Sequence, residues 1–180
     1  GDERIQLVSA GLRFRLKATF GFSVIPDALV ADLDLDSFDA LAVPGGFGKT
    51  GFYTDALSEP FLAVIRHFAD RRQPVASVCV ASLALGAAGA LAGRTATVYH
   101  QPGGKRRAQL ESYGARFVDQ ALVIDGNLIS STGPGTATEV AFALLTDLTS
   151  EANSARIRAL MRVPRPAAAW WSEPQVPVSS

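Results

Sequence analysis

Cysteine, methionine and net charge are what this chain has least of. Its 180 residues include one cysteine, one methionine and two tryptophans, and 17 basic residues balance 17 acidic ones. A single cysteine closes no internal disulfide, so the fold asks for no oxidising compartment. A zero balance leaves no basic excess to hold nucleic acid. No apolar run approaches the roughly 20 residues that span a bilayer, and no charged segment followed by an apolar one opens the chain as a secretory leader would. The expectation is a cytoplasmic protein without a membrane partner. No histidine, cysteine and carboxylate cluster has metal-ligand spacing, so no metal site is expected. "GGFG" (45–48) does not complete a phosphate-binding loop: Lys49 and Thr50 follow it, but Val43 stands where that motif has its first glycine.

What is present suits one globular domain: 48% of residues are hydrophobic and 19% charged. Residues 1–163 read as that domain and 164–180, "PRPAAAWWSEPQVPVSS", as a proline-rich tail unable to form a regular element. "RIQLVS" (4–9) reads as a strand, and "LRFRLK" and "FSVIP" as two short pieces joined near Gly21. "FDALAVPGG" (38–46) is an apolar strand stopped by Pro44-Gly45-Gly46. Leu57, Phe61, Val64, Ile65 and Phe68 recur at helical spacing over 56–72. "PVASVC" and "RTATVYH" read as further strands, with a helix running between them to about Leu91. "GGKRRAQLESYGA" reads as a short polar helix. Asp125-Gly126 between "LVI" and "LIS" signals a hairpin. Thr136 and Glu139 have capping-box spacing ahead of a helix, and a last helix covers about 152–162. Apolar strands alternating with helices imply an α/β protein with a mainly parallel sheet.

Ligands of such sheets bind beyond the carboxyl ends of the strands. Gly45-Gly46, Cys79, His100 and Gly133-Pro134-Gly135 all fall at strand ends. A lone cysteine is more often a small buried hydrophobe than a nucleophile. Here "VASLALGAAGAL" begins a helix directly after Cys79, which puts the sulfur at a sharp strand-to-helix turn of the nucleophile-elbow kind. A helix N-terminus favours a thiolate, so the expected Cys79 pKa lies below the free-thiol value of about 8.5. His67, on the amphipathic helix, reads as a surface residue. "GKRRAQ" (104–109) reads as a solvated helix face, with an anionic-substrate or dimer contact as the alternative. Trp170-Trp171 in the tail suggest docking into a groove on a partner subunit.

"VPGGFG", "ASVCVAS", "TATVYH" and "SSTGPGTATEVAFALL", in that order over roughly residues 4–162, resemble the ThiJ/PfpI superfamily. The resemblance implies a flavodoxin-like sandwich, of the class I glutamine amidotransferase-like kind, with helices on both sheet faces and usually a homodimer. It matches Cys79 to the reactive cysteine and His100 to the histidine near it in the deglycase-like branch. Gly45 and Gly46 match the loop whose amides line an oxyanion pocket, with the amide of Val80 as second donor. Val80 stands where the protease-like branch has histidine, which argues against a peptidase. Thr132 stands where an arginine often precedes Gly-Pro-Gly.

Family members open with a strand and helix of about 25–30 residues ahead of the part matching "RIQLVS", and that helix carries an acidic partner for the cysteine. These are expected to be missing from the chain as read. An upstream segment or a partner's strand is then expected to fill the sheet. The activity implied is cofactor-free: Cys79 adds to a small electrophile, a 2-oxoaldehyde in a glyoxalase-III or deglycase-like reaction, and His100 moves protons. Isocyanide hydration is an alternative, as is a redox-responsive chaperone or regulatory module without turnover.

Overall fold

The computed structural model describes residues 5–173. Residues 5–9 form no strand, contrary to the reading of "RIQLVS". That run finds a neighbour only at its end, where the Ser9 N–H and hydroxyl donate to Asp27 Oδ2 at 2.8 and 2.6 Å. Ile5 and Leu7 consequently stay exposed. β1 is Ala10–Gly11. β2 (Leu16–Lys17) and β3 (Ser23–Val24) are the two short pieces expected around Gly21, paired antiparallel. Phe20 (φ 68°) and Gly21 (φ 89°) turn the chain between them. β4 (Ala28–Leu29) lies parallel to β1.

The elements that carry the site follow. β5 (Leu41–Val43) leads through the glycine loop to α1 (Phe52–Ala56) and α2 (Glu59–Asp70). Pro60 sits in the first turn of α2, where its missing N–H is harmless, and Ile65 and Phe68 face the core. β6 (Val75–Val78) enters α3 (Ser82–Ala87) through a tight turn at 79–81. α3 is shorter than the reading to Leu91, because Gly89 takes φ 86° and ends it. β7 (Thr95–Ala96) is also shorter than "RTATVYH": the Thr97 N–H donates to the Ser130 hydroxyl at 3.0 Å and so leaves the ladder. Next come α4 (Arg106–Ser112), β8 (Arg116–Phe117), β9 (Leu122–Asp125) and β10 (Leu128–Ser131). β9 and β10 form the expected hairpin, with Gly126 at φ 59° in a two-residue loop. α5 (Ala137–Leu148), α6 (Glu151–Leu160) and α7 (Ala168–Ser172) complete the described chain.

The main sheet has the order β5-β6-β10-β9, parallel except for the β9 edge. Successive residues of β6 face opposite sides. Val75 joins Ile65, Leu85 and Leu128 in the larger core, and Ala76 joins Leu122, Ile129 and Val140 in a smaller one. Helices therefore cover both faces, as a flavodoxin-like α/β sandwich requires. Among the described residues β5 ends the sheet, and the β1–β4 pair stands apart from it.

Two expectations near the end of the chain give way. The Thr136 hydroxyl donates to the Gly133 carbonyl at 2.6 Å, and the Glu139 carboxylate pairs with Arg158, so no capping box forms. The buried cation outcompetes the helix-end amide for that carboxylate. The tail does contain a regular element, α7. Pro166 precedes its alanines instead of interrupting them, and alanine favours helix. Trp170 packs on its own chain's smaller core, and Trp171 stands edge-on against it at 4.7 Å between ring centroids.

Candidate active site

Cys79 follows the last residue of β6 and has φ 63°, a left-handed conformation that a non-glycine residue rarely adopts. The turn is held in place from below. The Ser77 hydroxyl donates to the Ile129 carbonyl at 3.2 Å and lies 3.0 Å from the Ser82 hydroxyl, and Ser131 donates to the Ser77 carbonyl at 3.3 Å. Three buried serines thus tie the strand end, the start of α3 and β10 together. Opposite the turn lies Gly45: a Cβ there would sit 2.8 Å from both Cys79 Cβ and the Val78 carbonyl oxygen, and 3.6 Å from Cys79 Sγ. Only glycine lets the loop backbone approach the sulfur this closely. Gly46 meets Phe52 instead, where a Cβ would come within 2.5 Å of the ring.

The thiol is half-buried, and its burial raises its pKa above the ordinary value. The Val80 N–H, which bonds the sulfur, and the Arg106 charge both pull it down, but by less. The expected depression is therefore reversed. Desolvation of the anion outweighs what one amide and one nearby cation supply. Tyr53 shares this environment. Its phenol is also raised, first by burial and further by the Cys79 charge, with Arg106 opposing. Arg106 Cζ stands 4.6 Å above the Tyr53 ring, and Tyr53 makes an edge contact with Phe52 at 5.2 Å. The solvated-face reading of 104–109 fails at Arg106, which is half-buried on the cysteine side, while Arg107 pairs with Glu111 at 3.0 Å on the exposed side.

The Tyr99 N–H donates to the Cys79 carbonyl at 3.3 Å, so His100 lies beside the elbow along the chain. Its ring is buried. Nδ1 donates to the Val98 carbonyl at 3.0 Å, and Nε2 lies 3.2 Å from Asp119 Oδ1. A cavity of about 260 Å³ adjoins the ring, walled by Tyr99, His100, Thr132, Gly133, Gly135, Thr136 and Trp170. Cys79 is not among those walls. Gly45, Val80 and Cys79 are brought together, while His100 faces an adjoining space. His67 is half-buried, edge-on to Phe68 and 3.4 Å from Asp36, not the surface residue expected.

Tyr53 and Asp119 carry no mark in the sequence reading, and Arg106 enters it only as part of the 104–109 basic patch. Asp119 follows a strand run, and that position alone could have marked it. Tyr53 has no local signal, and the basic patch does not say that Arg106 lies over Tyr53, since that contact joins residues more than fifty positions apart. Among the described residues no three His, Cys, Asp or Glu side chains cluster as metal ligands would. No described helix is long and apolar enough to cross a membrane.

Residues 2–147 match the profile of the DJ-1/PfpI family. A deglycase of Thermococcus kodakarensis is 33% identical over 130 residues, covering 71% of this chain and 73% of that protein. The dj-1beta protein of Drosophila melanogaster is 30% identical over 148 residues, covering 80% and 75%. The crystal structure of Drosophila melanogaster DJ-1beta superposes with a TM-score of 0.74 at 27% identity, over 84% of this chain and 78% of that one.

Proposed function

This chain belongs to the DJ-1/PfpI family, and from that premise we propose that it is a cysteine-dependent enzyme of the deglycase or glyoxalase-III kind, acting on small carbonyl electrophiles. The observation that carries this reading is the left-handed Cys79 at the end of β6, with the backbone of Gly45 against it and the Val80 N–H on its sulfur. Strain of this kind persists where surrounding structure over-determines it, and it gathers at functional sites. Relatives named as deglycases agree with the reading.

In the proposed reaction Cys79 Sγ attacks the carbonyl carbon of a 2-oxoaldehyde. The S–C bond forms as the carbonyl π pair moves to oxygen, where amides of Gly45, Gly46 and Val80 stabilise the growing charge. The thiol proton moves to the new oxygen, and His100, which faces the adjoining space with Nε2 beside Asp119, serves that transfer through solvent and not by direct contact with the sulfur. A raised thiol pKa suits this order. The thiol rests neutral and ionises as the proton acceptor and substrate come together. It also speaks against a redox sensor, whose cysteine is typically an exposed low-pKa thiolate.

The test is conversion of methylglyoxal to lactate by the purified protein, run beside an isocyanide. Turnover of methylglyoxal is expected, and Cys79→Ser should lower it by at least about 1000-fold. Full activity in that variant, or turnover of the isocyanide alone, would overturn the proposal. A homodimer is part of the same reading.

A further inference from the structure

Most arginines of known partner in this fold meet a carboxylate. Arg13 pairs with Asp55, Arg66 with Glu59, Arg94 with Asp125 and Arg158 with Glu139. Arg106 does not. Its Nη1 donates to the neutral Gln109 Oε1 at 2.8 Å, and its guanidinium lies over the Tyr53 ring. Among the described residues it has no carboxylate partner, although it is half-buried. Tyr53 in turn is tied to the glycine loop, because its neighbour Phe52 fills the space beside Gly46 and touches the Tyr53 ring edge. Arg106 is thereby held on Tyr53, which packs with Phe52 and Cys79 against one core beside the glycine loop. Its charge favours the ionised forms of both Cys79 and Tyr53.

We infer that Arg106 makes the Cys79 site selective for electrophiles carrying an anionic group beside the reacting carbon, the class of 2-oxo acids and aldehyde carboxylates. This rests on the reading of Cys79 as a nucleophile and narrows it. A planar guanidinium with open N–H groups matches a carboxylate in two-pronged geometry. Tyr53 holds it from the opposite face, so little side-chain freedom is lost on binding. With glyoxylate the step is a reversible addition. The thiol sulfur bonds the aldehyde carbon, the carbonyl π pair becomes a hydroxyl that takes the thiol proton, and the carboxylate stays on Arg106. Nothing is oxidised, reduced or released.

The chain has one cysteine, so alkylation located on the cysteine-bearing peptide reports on this site alone. The experiment compares the rates at which iodoacetate and iodoacetamide alkylate the folded protein, read by mass spectrometry at neutral pH. Both reagents form a C–S bond with loss of iodide from the same thiolate, so their ratio cancels the thiol pKa and isolates the effect of reagent charge. The iodoacetate-to-iodoacetamide ratio is expected to exceed that of free cysteine by about fivefold, as for one nearby charge partly screened by solvent. Arg106→Gln should return it to the free-cysteine value, Arg106→Lys should keep most of it, and Arg107→Gln should leave it unchanged. High salt should lower the ratio in the unmodified protein, a check that needs no variant to fold. Glyoxylate should protect Cys79 from iodoacetamide at lower concentration than methylglyoxal does, and Arg106→Gln should erase the difference. A ratio at or below that of free cysteine, or one insensitive to Arg106→Gln, overturns the inference while leaving Cys79 as nucleophile. If neither reagent labels the folded protein, the nucleophile reading fails along with it.

Discussion

Burial and polar contacts draw the Cys79 thiol in opposite directions. Desolvation raises its pKa, the Val80 amide and Arg106 lower it, and the balance lies above the ordinary value. Iodoacetamide labelling should therefore rise with pH through a midpoint above about 8.5, the free-thiol value. A midpoint below it would mean that the amide and cation outweigh burial. The same shift links stability to pH. The folded thiol keeps its proton after the unfolded one has lost it, so its contribution is complete below about 8.5 and fades as pH rises through the folded pKa. The denaturation midpoint of the protein relative to Cys79→Ala should fall across that window. Backbone strain at the same residue is separable from its chemistry. A side chain at φ 63° costs roughly 1–2 kcal/mol that glycine avoids. Cys79→Gly should thus be more stable than Cys79→Ala by about 1 kcal/mol in denaturant titration. Equal stability would mean that the elbow relaxes once the thiol is gone.

Between elements, the buried pair of Glu139 and Arg158 does the work that the capping-box spacing only mimics. Arg158 on α6 reaches Glu139 on α5, its guanidinium lies 3.9 Å over the Phe142 ring, and Nη1 also donates to the Pro164 carbonyl at 3.1 Å. One side chain therefore joins two helices to the segment leading into α7. Arg158→Ala leaves a buried carboxylate without its cation and should cost about 3–5 kcal/mol in chemical denaturation. Pairing Glu139→Gln with Arg158→Met should recover much of that loss. Because the Pro164 contact goes too, tryptophan emission should shift red in Arg158→Ala as Trp170 leaves the smaller core. Unchanged emission would mean that α7 docks without help from Arg158.

For the molecule as a whole, exposed apolar side chains among the described residues gather most densely in the first segment. Phe14, Phe20, Phe22 and Ile25 are all exposed within twelve residues of chain, Phe20 at 94%. Apolar groups gathered this densely mark an interaction surface, and a self-complementary two-fold contact is the commonest way to cover one. The proposed homodimer should sediment at micromolar concentration as twice 19.0 kDa. Replacing Phe20 and Phe22 together by serine should shift it to monomer without unfolding it. A single 19.0 kDa species in the unmodified protein would remove the dimer from the proposal.

Much of the framework was legible before any fold was known, because it rests on local rules. Period-3.6 spacing marked α2, an apolar run closed by Pro-Gly-Gly marked β5, Asp125-Gly126 marked the hairpin, and a strand running into small residues marked the turn at Cys79. Whatever depends on two distant segments was beyond such rules. "RIQLVS" has strand composition, but a strand exists only where a neighbour accepts its hydrogen bonds, and residues 5–9 find almost none. Glu139 has the spacing of a helix cap, yet a cation nineteen residues away takes its carboxylate. Pro-rich composition hid α7 because its prolines stand outside the helix. The sign of the Cys79 shift escapes a local reading for the same reason. Proximity to a helix start is written in the order of residues, whereas the desolvation that overrides it comes from Gly45, Tyr53 and the core, which only tertiary folding brings around the sulfur.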